Sequence, residues 1–409
     1  MKIISASWVI TCDENSTIIE DGAVVYDEKI IEVDTLAKIK KKYSDIKIES
    51  CGNNSVLMPG LINSHVHLEF SSNSTTLKYG NFMTWLGSVI QNREELTNDV
   101  TDELLSEKLE EMKNSGTTTI GAISSYSFDI KACVNSPINT VFFSEVIGSK
   151  QDMIDTLFAD FKSRLKLAKD NQSKNFIPAI AIHSPYSVHP FLIRETLRIA
   201  KEEDLAVSAH FLESPEEYEW LHKDEGGFLE FFKNFLGQEK AVTKPIEFLN
   251  QFNNLKNLSF THCVEANGED LEKINSLGAV INHCVTSNRF LNNTKLDLQQ
   301  LKKYKIDFSI GTDGLSSNNS LNMFDELRNA LMVHSNENII DFSKLLIKAA
   351  TKNGSKALGL NKGELSCGKD SDIICLVLPD SVKEKELLPM NVILHTKGVE
   401  KVIIGGEYV

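Results

Sequence analysis

The sequence lacks the features that mark membrane, secreted or disulfide-rich proteins. No apolar run approaches the roughly 18 residues needed to span a bilayer. The opening segment MKIISASWVITCDENS has neither the apolar core nor the cleavage site of a signal peptide. The seven cysteines are scattered, odd in number and without a CxxC pair, which argues against a disulfide framework or a structural zinc knot. We therefore expect a cytoplasmic protein with no membrane partner.

Positive charge is also scarce. The chain has 43 lysines and arginines against 57 aspartates and glutamates, so its formal net charge is -14. No basic patch is present that could bind a nucleic-acid backbone, which disfavours a nucleic-acid partner. Charged residues at 24% and hydrophobic residues at 41% are ordinary globular values. The composition therefore favours a globular protein that acts on small molecules.

The middle of the chain alternates apolar runs of strand length with amphipathic stretches of helix length, as parallel sheets built from βαβ units do. Eight runs are candidate strands: 56–64, 117–123, 140–148, 176–183, 205–211, 258–263, 279–284 and 306–312. Eight parallel strands separated by helices favour a closed (β/α)8 TIM barrel over an open sheet. The length of 409 residues allows one such barrel and a smaller second domain.

Both ends of the chain are rich in strand-forming residues. The segments KIISASWVITC and GAVVYDEKIIEV near the start, and DIICLVL, VILHT and VEKVIIGGEYV near the end, are separated by turn residues. We expect the two ends to meet in one small β-sandwich domain. Residues 1–55 and 363–409 would form its two parts, and residues 56–362 would form the catalytic barrel.

One predicted connection is much longer than a usual loop. Residues 214–257, between the fifth and sixth predicted strands, contain Phe228, Phe231, Phe232 and Phe235 at near-helical spacing. Two interpretations stay open. In the first, the segment is a helix whose aromatic face packs on the barrel or on the second subunit of a homodimer. In the second, it is a lid that covers the substrate.

Metal-binding residue types recur where the predicted strands end, which is the face of such a barrel that carries the active site. Asp313 follows the eighth strand, and six of the ten histidines lie at other strand ends: His65, His67, His183, His210, His262 and His283. His65 and His67 are two positions apart on an extended strand, so both side chains point to the same side. Three neutral imidazoles and one carboxylate would suit zinc or ferrous iron, with one position open for water.

A bridging group is missing at the end of the fourth strand. Two-metal sites of this kind commonly have a modified lysine there, whereas this chain has His183-Ser184-Pro185. The sequence therefore predicts a single divalent ion.

Three further residues near the predicted ligands have more than one interpretation. Glu213 follows His210 by three residues, where a carboxylate can transfer protons between water and substrate, although two more glutamates follow and a solvent-facing acid is the alternative. His262 is either a ligand or a residue that polarises the water or the substrate. His283, directly before Cys284, is more typical of a buried structural histidine than of a ligand.

These motifs together resemble the amidohydrolase superfamily. The resemblance covers residues 56 to about 360 and depends on five segments: Pro59–His67, His210 with Glu213, Thr261–Val264, Ser287-Asn288 and Gly311–Asn318. It implies one Zn²⁺ or Fe²⁺ ion with four ligands: His65, His67, His210 and Asp313. It also implies that Glu213 is the proton shuttle, that His262 polarises the attacking water, and that Asp313 passes a proton to the leaving group.

Within the superfamily the chain resembles the aminohydrolase branch, which deaminates adenine- or guanine-type rings. Three segments are similar to the deaminases of menaquinone biosynthesis, whose substrate aminodeoxyfutalosine is an adenine nucleoside carrying a benzoate: Gly80–Val89, His183–Val188 and His210–Ser214. The implied reaction is hydrolytic deamination at carbon 6. Rival activities with the same ligand set are deamination of guanine, adenosine, methylthioadenosine or S-adenosylhomocysteine and dechlorination of triazines. A remote rival is a non-catalytic barrel used in assembly, but such relatives lack the ligands.

Two departures from related nucleoside deaminases bear on substrate binding. Relatives that act on methylthioadenosine have a glutamate just before the pair resembling Trp85-Leu86, and it binds the ribose diol; this chain has Thr84 there, and Glu145 could substitute. After Ser287-Asn288, where relatives have an apolar residue, this chain has Arg289.

The guanidinium of Arg289 is suited to the benzoate carboxylate, although a surface arginine is the alternative. We also expect His183, Trp85 and Ser317 to contact the substrate.

Overall fold

Two separate sheets organise the fold. The computed structural model describes residues 1–72 and 74–409, and within them the strands are β1 (Lys2–Ile10), β2 (Ile18–Tyr26), β3 (Ile30–Thr35), β4 (Ile48–Ser50), β5 (Ser55–Pro59), β6 (Leu61–Val66), β7 (Thr117–Ser124), β8 (Asn139–Val146), β9 (Phe176–Ile182), β10 (Val207–Phe211), β11 (Leu258–His262), β12 (Val280–His283), β13 (Phe308–Ile310), β14 (Ile373–Val377), β15 (Lys401–Ile404) and β16 (Glu407–Tyr408).

Helices follow most of the barrel strands. The α-helices of the described residues are α1 (Leu36–Lys42), α2 (Phe82–Gln91), α3 (Arg93–Asn98), α4 (Asp102–Asn114), α5 (Ile130–Asn135), α6 (Ile154–Asp170), α7 (Pro190–Glu203), α8 (Pro215–Lys223), α9 (Gly227–Leu236), α10 (Pro245–Asn250), α11 (Gly268–Ser276), α12 (Val285–Asn292), α13 (Leu298–Tyr304), α14 (Met323–Val333), α15 (Ile339–Lys348), α16 (Gly354–Leu358) and α17 (Leu388–His395). None of these helices combines the length and the apolar character that a membrane crossing requires.

The larger structural unit is a sheet of eight parallel strands in the order β13-β12-β11-β10-β9-β8-β7-β6. Its two end strands meet where the Asp313 N–H donates to the carbonyl oxygen of His65 over 3.0 Å and Asn63 Nδ2 donates to Thr312 Oγ1 over 2.6 Å. All residues of β6, β7 and β8 are buried, as expected for parallel strands covered on both faces. The predicted (β/α)8 barrel is confirmed.

The second sheet joins the two ends of the chain. Its strand order is β16-β15-β14-β5-β1-β2-β3, and β4 pairs with β1. Strand β5 is central, because it runs parallel to β1 and antiparallel to β14. The predicted meeting of the two ends is therefore confirmed, in one mixed sheet. The division into domains at residues 55/56 and 362/363 stays a prediction.

The predicted strand 56–64 is wrong as a single strand. Residues Ser55–Pro59 pair in the terminal sheet, whereas Leu61–Val66 is the first barrel strand. The chain passes between the two sheets at Gly60, where an added Cβ would lie 2.1 Å from Thr118 Oγ1, so only glycine fits. Both strands are buried throughout, and an uninterrupted apolar run therefore hides the boundary.

The long connection after β10 is helical and packs on the barrel. It contains α8, α9 and α10, and on α9 the side chains of Phe228 and Phe232 are buried. The Phe228 ring lies 4.6 Å from the ring of Tyr186, between centroids, and the Phe232 ring lies 5.3 Å from that of Trp220. Aromatic packing at these distances supports the first interpretation for this face of α9, while Phe231, Phe232 and Phe235 also line the cavity described below, so both interpretations stay open.

Close backbone packing at Gly311 sets the distance between β13 and β6. A Cβ added there would lie 2.8 Å from the Cβ and 2.9 Å from the carbonyl oxygen of His65. Glycine therefore allows the two strand ends to approach closely, which brings Asp313 next to His65.

We predict that Gly311→Ala destabilises the barrel and moves His65. Overpacking of this kind costs about 1–3 kcal/mol, so the melting temperature falls. Gly87→Ala in α2 is the matched control, because an added Cβ there meets no atom within 4 Å and alanine favours a helix. Equal melting temperatures for Gly311→Ala and the wild type would contradict this role of Gly311.

Candidate active site

Four imidazoles and a carboxylate converge at the carboxyl ends of the barrel strands. His65, His67, His210, His262 and Asp313 are at most 8% exposed. His67 Nε2 lies 3.2 Å from His210 Nε2, and Asp313 Oδ1 lies 3.9 Å from His65 Nε2 and 3.7 Å from His67 Nε2. Three overlapping groups have candidate ligand atoms within 4.8 Å of one another: His65-His210-His262, His65-His67-Asp313 and Glu213-His262-Asp313. The sequence-predicted ligands are thus brought together.

The donor atoms of this cluster fit a cation. Within the described residues, the buried His65 Nε2 and His67 Nδ1 atoms have no hydrogen-bond partner, which is costly for polar groups shielded from water. Burial lowers the pKa of His65, His67 and His210, so that the rings are neutral. Neutral imidazoles beside a carboxylate are a suitable ligand set for zinc or iron.

Hydrogen bonds fix the orientation of two candidate ligands. His210 Nδ1 donates to the carbonyl oxygen of His183 over 2.7 Å, which leaves Nε2 with its lone pair toward the cluster. Asp313 Oδ2 accepts from Ser287 Oγ over 2.7 Å and from Ser317 Oγ over 2.9 Å. Burial alone would raise the pKa of Asp313, but a proton held by the neighbouring His67, His262 or His65, together with the hydrogen bond from Ser287, lowers it overall, so the group is a carboxylate.

The backbone is strained where three strands reach the site. Leu212, His262 and Asp313 have φ values of 46°, 70° and 60°, in the left-handed region that non-glycine residues rarely adopt. Such conformations cost on the order of 1 kcal/mol each and cluster at functional sites.

Glu213 and His262 form a pair beside the candidate ligands. His262 Nδ1 donates to Asn288 Oδ1 over 2.8 Å, so Nε2 faces Glu213 Oε1 at 3.4 Å and Asp313 Oδ2 at 3.9 Å. Glu213 is only 7% exposed, so it is not a solvent-facing rim acid. Burial and the negative charge of Asp313 raise the pKa of Glu213 well above its usual range. A carboxyl group in such surroundings can both accept and deliver a proton near neutral pH.

A cavity of about 360 Å³ opens above this cluster, which is within the size range of small-molecule sites. Three of the predicted substrate contacts line it: Trp85, Glu145 and His183. Glu145 is fully buried, its Oε2 accepts from Ser125 Oγ, and its Oε1 lies 3.9 Å from His210 Nδ1. Burial lowers the pKa of His183 to about 4, so this ring is neutral, and its Nδ1 lies 2.6 Å from Ser187 Oγ.

The structure places the other two predicted contacts outside the cavity lining. Arg289 is exposed on α12. Ser287 and Asn288 on the same helix point inward and are buried, so the next residue is turned by about 100° toward solvent. Ser317 is directed at Asp313 Oδ2, as described above, and its hydroxyl therefore holds a candidate ligand rather than the substrate.

Sequence analysis missed a buried acid that shapes the cavity wall. Glu69 accepts backbone N–H groups of Ser125 over 2.7 Å, Tyr126 over 3.0 Å and Phe128 over 2.9 Å. It thereby holds the loop after β7, from which Ser125 and Tyr126 line the cavity. The signal in the sequence is an acid two residues after His67, the second histidine of the predicted ligand pair.

The contact between Ser317 and Asp313 predicts an effect on metal binding. Ser317→Ala should weaken zinc affinity about tenfold, because groups that orient a ligand contribute to metal affinity. The KM of the zinc-saturated enzyme should not change. A competition titration with a chelating dye measures the affinity, and Ser316→Ala, which alters the neighbouring cavity residue, is the control. A raised KM with unchanged zinc affinity would instead indicate that Ser317 contacts the substrate, as the sequence predicts.

The model of the amidohydrolase family matches residues 56–409. An aminodeoxyfutalosine deaminase from Nitratiruptor sp. is 46% identical over 407 residues, which cover 100% of this chain and 99% of that protein. An adenosine deaminase from Helicobacter pylori is 35% identical over 413 residues, with the same coverage of 100% and 99%.

Solved structures agree with these relatives. A Helicobacter pylori aminofutalosine deaminase in complex with methylthio-coformycin has a TM-score of 0.95 at 34% identity and covers 100% of both chains. A Xanthomonas campestris adenosine deaminase with bound zinc has a TM-score of 0.80 at 22% identity, covers 99% of this chain and 92% of its own, and is similar in fold. Both resemblances predicted from the motifs are confirmed, and the chain belongs to the amidohydrolase family.

Proposed function

We propose that this protein is a metal-dependent aminohydrolase that deaminates carbon 6 of an adenine nucleoside, and that it converts aminodeoxyfutalosine to futalosine in menaquinone biosynthesis. The observation that carries the proposal is the pairing of buried Glu213 with His262 beside the histidine cluster, at the floor of a substrate-sized cavity. The full-length similarity to a protein named aminodeoxyfutalosine deaminase supports the choice of substrate.

The proposed metal site has four ligands: His65, His67, His210 and Asp313. A bound divalent ion supplies one kind of chemistry, which is to polarise a water molecule and lower its pKa toward about 7. Zinc and ferrous iron accept the same nitrogen and oxygen donors, and we propose either as the ion. A single ion is favoured because the fourth barrel strand leads to His183, whose Nδ1 faces serine hydroxyls, and has no lysine that could bridge two ions.

The proton transfers are assigned to Glu213 and Asp313. Glu213 takes one proton from the attacking water and delivers it to ring nitrogen 1, which makes carbon 6 electrophilic. The water oxygen bonds to carbon 6, and His262 orients it through Nε2. Asp313 accepts the second water proton and passes it to the departing amino group, so that the carbon–nitrogen bond breaks and ammonia leaves. The product carries an oxo group at carbon 6 and a proton at nitrogen 1.

The cavity wall is assigned to nucleoside binding. Glu145 Oε1 is buried and has no hydrogen-bond partner among the described residues, so it can accept a ribose hydroxyl. Trp85 donates its Nε1–H to the carbonyl oxygen of Ser316 over 2.8 Å, which holds the indole ring at the cavity as an apolar wall. His183 is proposed to contact the base or the sugar.

We also propose a cytoplasmic location. All seven cysteines, which lie among the described residues, are free thiols, as is usual in a reducing compartment. The predicted homodimer stays a prediction.

Ammonia release from a panel of nucleosides tests the proposed activity. We expect aminodeoxyfutalosine to give the highest kcat/KM among aminodeoxyfutalosine, adenosine, 5′-deoxyadenosine and guanine, measured by the release of ammonia from each compound. Glu213→Gln is the matched control: it keeps the side-chain volume and all proposed ligands but loses the proton carrier, so kcat should fall about 10²- to 10⁴-fold.

Each outcome of the panel has a separate meaning. A preference for adenosine would contradict aminodeoxyfutalosine as the substrate but would still support the deaminase activity. Failure of every nucleoside to release ammonia, or full turnover by Glu213→Gln, would overturn the proposed function.

A further inference from the structure

The outer part of the cavity differs in character from its floor. Three of its lining side chains are large, apolar and exposed: Ile90 at 39%, Ile147 at 41% and Phe235 at 67%. Exposed apolar side chains grouped around one opening indicate a surface that covers an apolar ligand group. We refer to Ile90, Arg93, Tyr126, Ile147 and Phe235 as the outer cavity.

Arg93 is the one lysine or arginine among the described residues that line the cavity. It is the first residue of α3, its Nη2 donates to the hydroxyl oxygen of Tyr126, and its guanidinium carbon lies 5.5 Å from the centre of that ring. No carboxylate of residues 1–72 and 74–409 forms an ion pair with it within 4.0 Å. The cation is therefore held in place by a neutral partner and is available to an anion.

A series of residue contacts connects the mouth of the cavity to its floor. Arg93 contacts Tyr126, the preceding residue Ser125 donates to Glu145, and Glu145 Oε1 lies 3.9 Å from His210 Nδ1. In the proposed reaction, carbon 6 of the adenine must reach the histidine cluster. The ribose and its 5′ substituent then extend toward the outer cavity.

The net charge of the chain favours a cation at the outer end of the cavity for an anionic substrate. The chain carries a formal net charge of -14, so an anion approaching its surface is repelled. An arginine fork matches a carboxylate geometrically and offsets this repulsion.

We propose that Arg93 recognises the carboxylate of an aromatic acid attached on the 5′ side of the nucleoside, while the apolar residues of the outer cavity cover its ring. The proposal rests on the proposed function, because the benzoate of aminodeoxyfutalosine has this chemistry. Arg93 thereby takes the role that sequence analysis gave to Arg289, which does not line the cavity.

Kinetics on charged and neutral substrates test the role of Arg93. Ion pairs near solvent are weaker than buried ones, so we expect Arg93→Met to lower kcat/KM for aminodeoxyfutalosine about tenfold, mainly through KM. The value for 5′-deoxyadenosine, which has no carboxylate, should stay within about twofold of the wild type. Arg289→Met is the matched control and should change neither value. An equal loss on both substrates, or the same loss in Arg289→Met, would overturn the proposal.

Direct binding of a fragment separates this proposal from the proposed function. Calorimetry with 3-acetylbenzoate and with neutral 3-acetylbenzamide requires no turnover. The wild type should bind the benzoate about tenfold more tightly, and Arg93→Met should bind both equally, with an unchanged melting temperature as evidence that it folds. If the wild type prefers the benzoate but does not deaminate aminodeoxyfutalosine, the proposed function fails and the carboxylate site stands. A wild type without this preference, or a variant that keeps it, contradicts the carboxylate site.

Discussion

The hydrogen bond from the Asp313 N–H to the carbonyl oxygen of His65, 3.0 Å long, is the contact on which the rest of the site depends. It joins the last barrel strand to the first, and therefore residues that are far apart in the chain. Gly311 allows this approach because any side chain there would collide with His65. The same contact closes the barrel and sets a carboxylate beside two imidazoles, so fold and site share one constraint.

The cavity changes in character from its floor to its mouth. At the floor, burial lowers the pKa of the histidines and raises the pKa of Glu213, whereas a proton on a neighbouring imidazole and the hydrogen bond from Ser287 lower the pKa of Asp313. These two carboxyl groups lie 3.4 Å and 3.9 Å from His262 Nε2, and they thus have opposite tendencies to hold a proton, as an acid–base pair requires. The mouth is apolar and carries the guanidinium of Arg93. This division corresponds to the two ends of the proposed substrate, a reacting ring and a distant carboxylate.

The sequence was sufficient to predict which residues at strand ends lie close together. His65, His67, His210 and Asp313 could be grouped because parallel strands place their carboxyl ends at one face of a barrel, whatever the loops between them do. The sequence did not show in which direction a single side chain points, and this direction decides what the side chain can contact. Arg289 and Ser317 follow the expected motifs, but the helical turn of α12 directs the first outward, and a hydrogen bond directs the second at Asp313.

Two further features could not be predicted from the sequence, for other reasons. They are the boundary between β5 and β6 at Gly60 and the position of Arg93 at the cavity. The two buried strands on either side of Gly60 form one apolar run, so periodicity alone does not separate them. Arg93 reaches the cavity only because α3 packs near the loop after β7, which Glu69 holds through three backbone N–H groups. Such a tertiary contact leaves no local pattern around residue 93.

The central claim is that this convergence of strand ends builds a site for one divalent ion. The most direct test is the metal content of the purified chain, measured by plasma mass spectrometry after loading with zinc, or with ferrous iron under anaerobic conditions, and removal of free metal. The structure predicts one equivalent of metal per chain, and close to none in Asp313→Ala. Two equivalents per chain, or none in the wild type, would contradict the account.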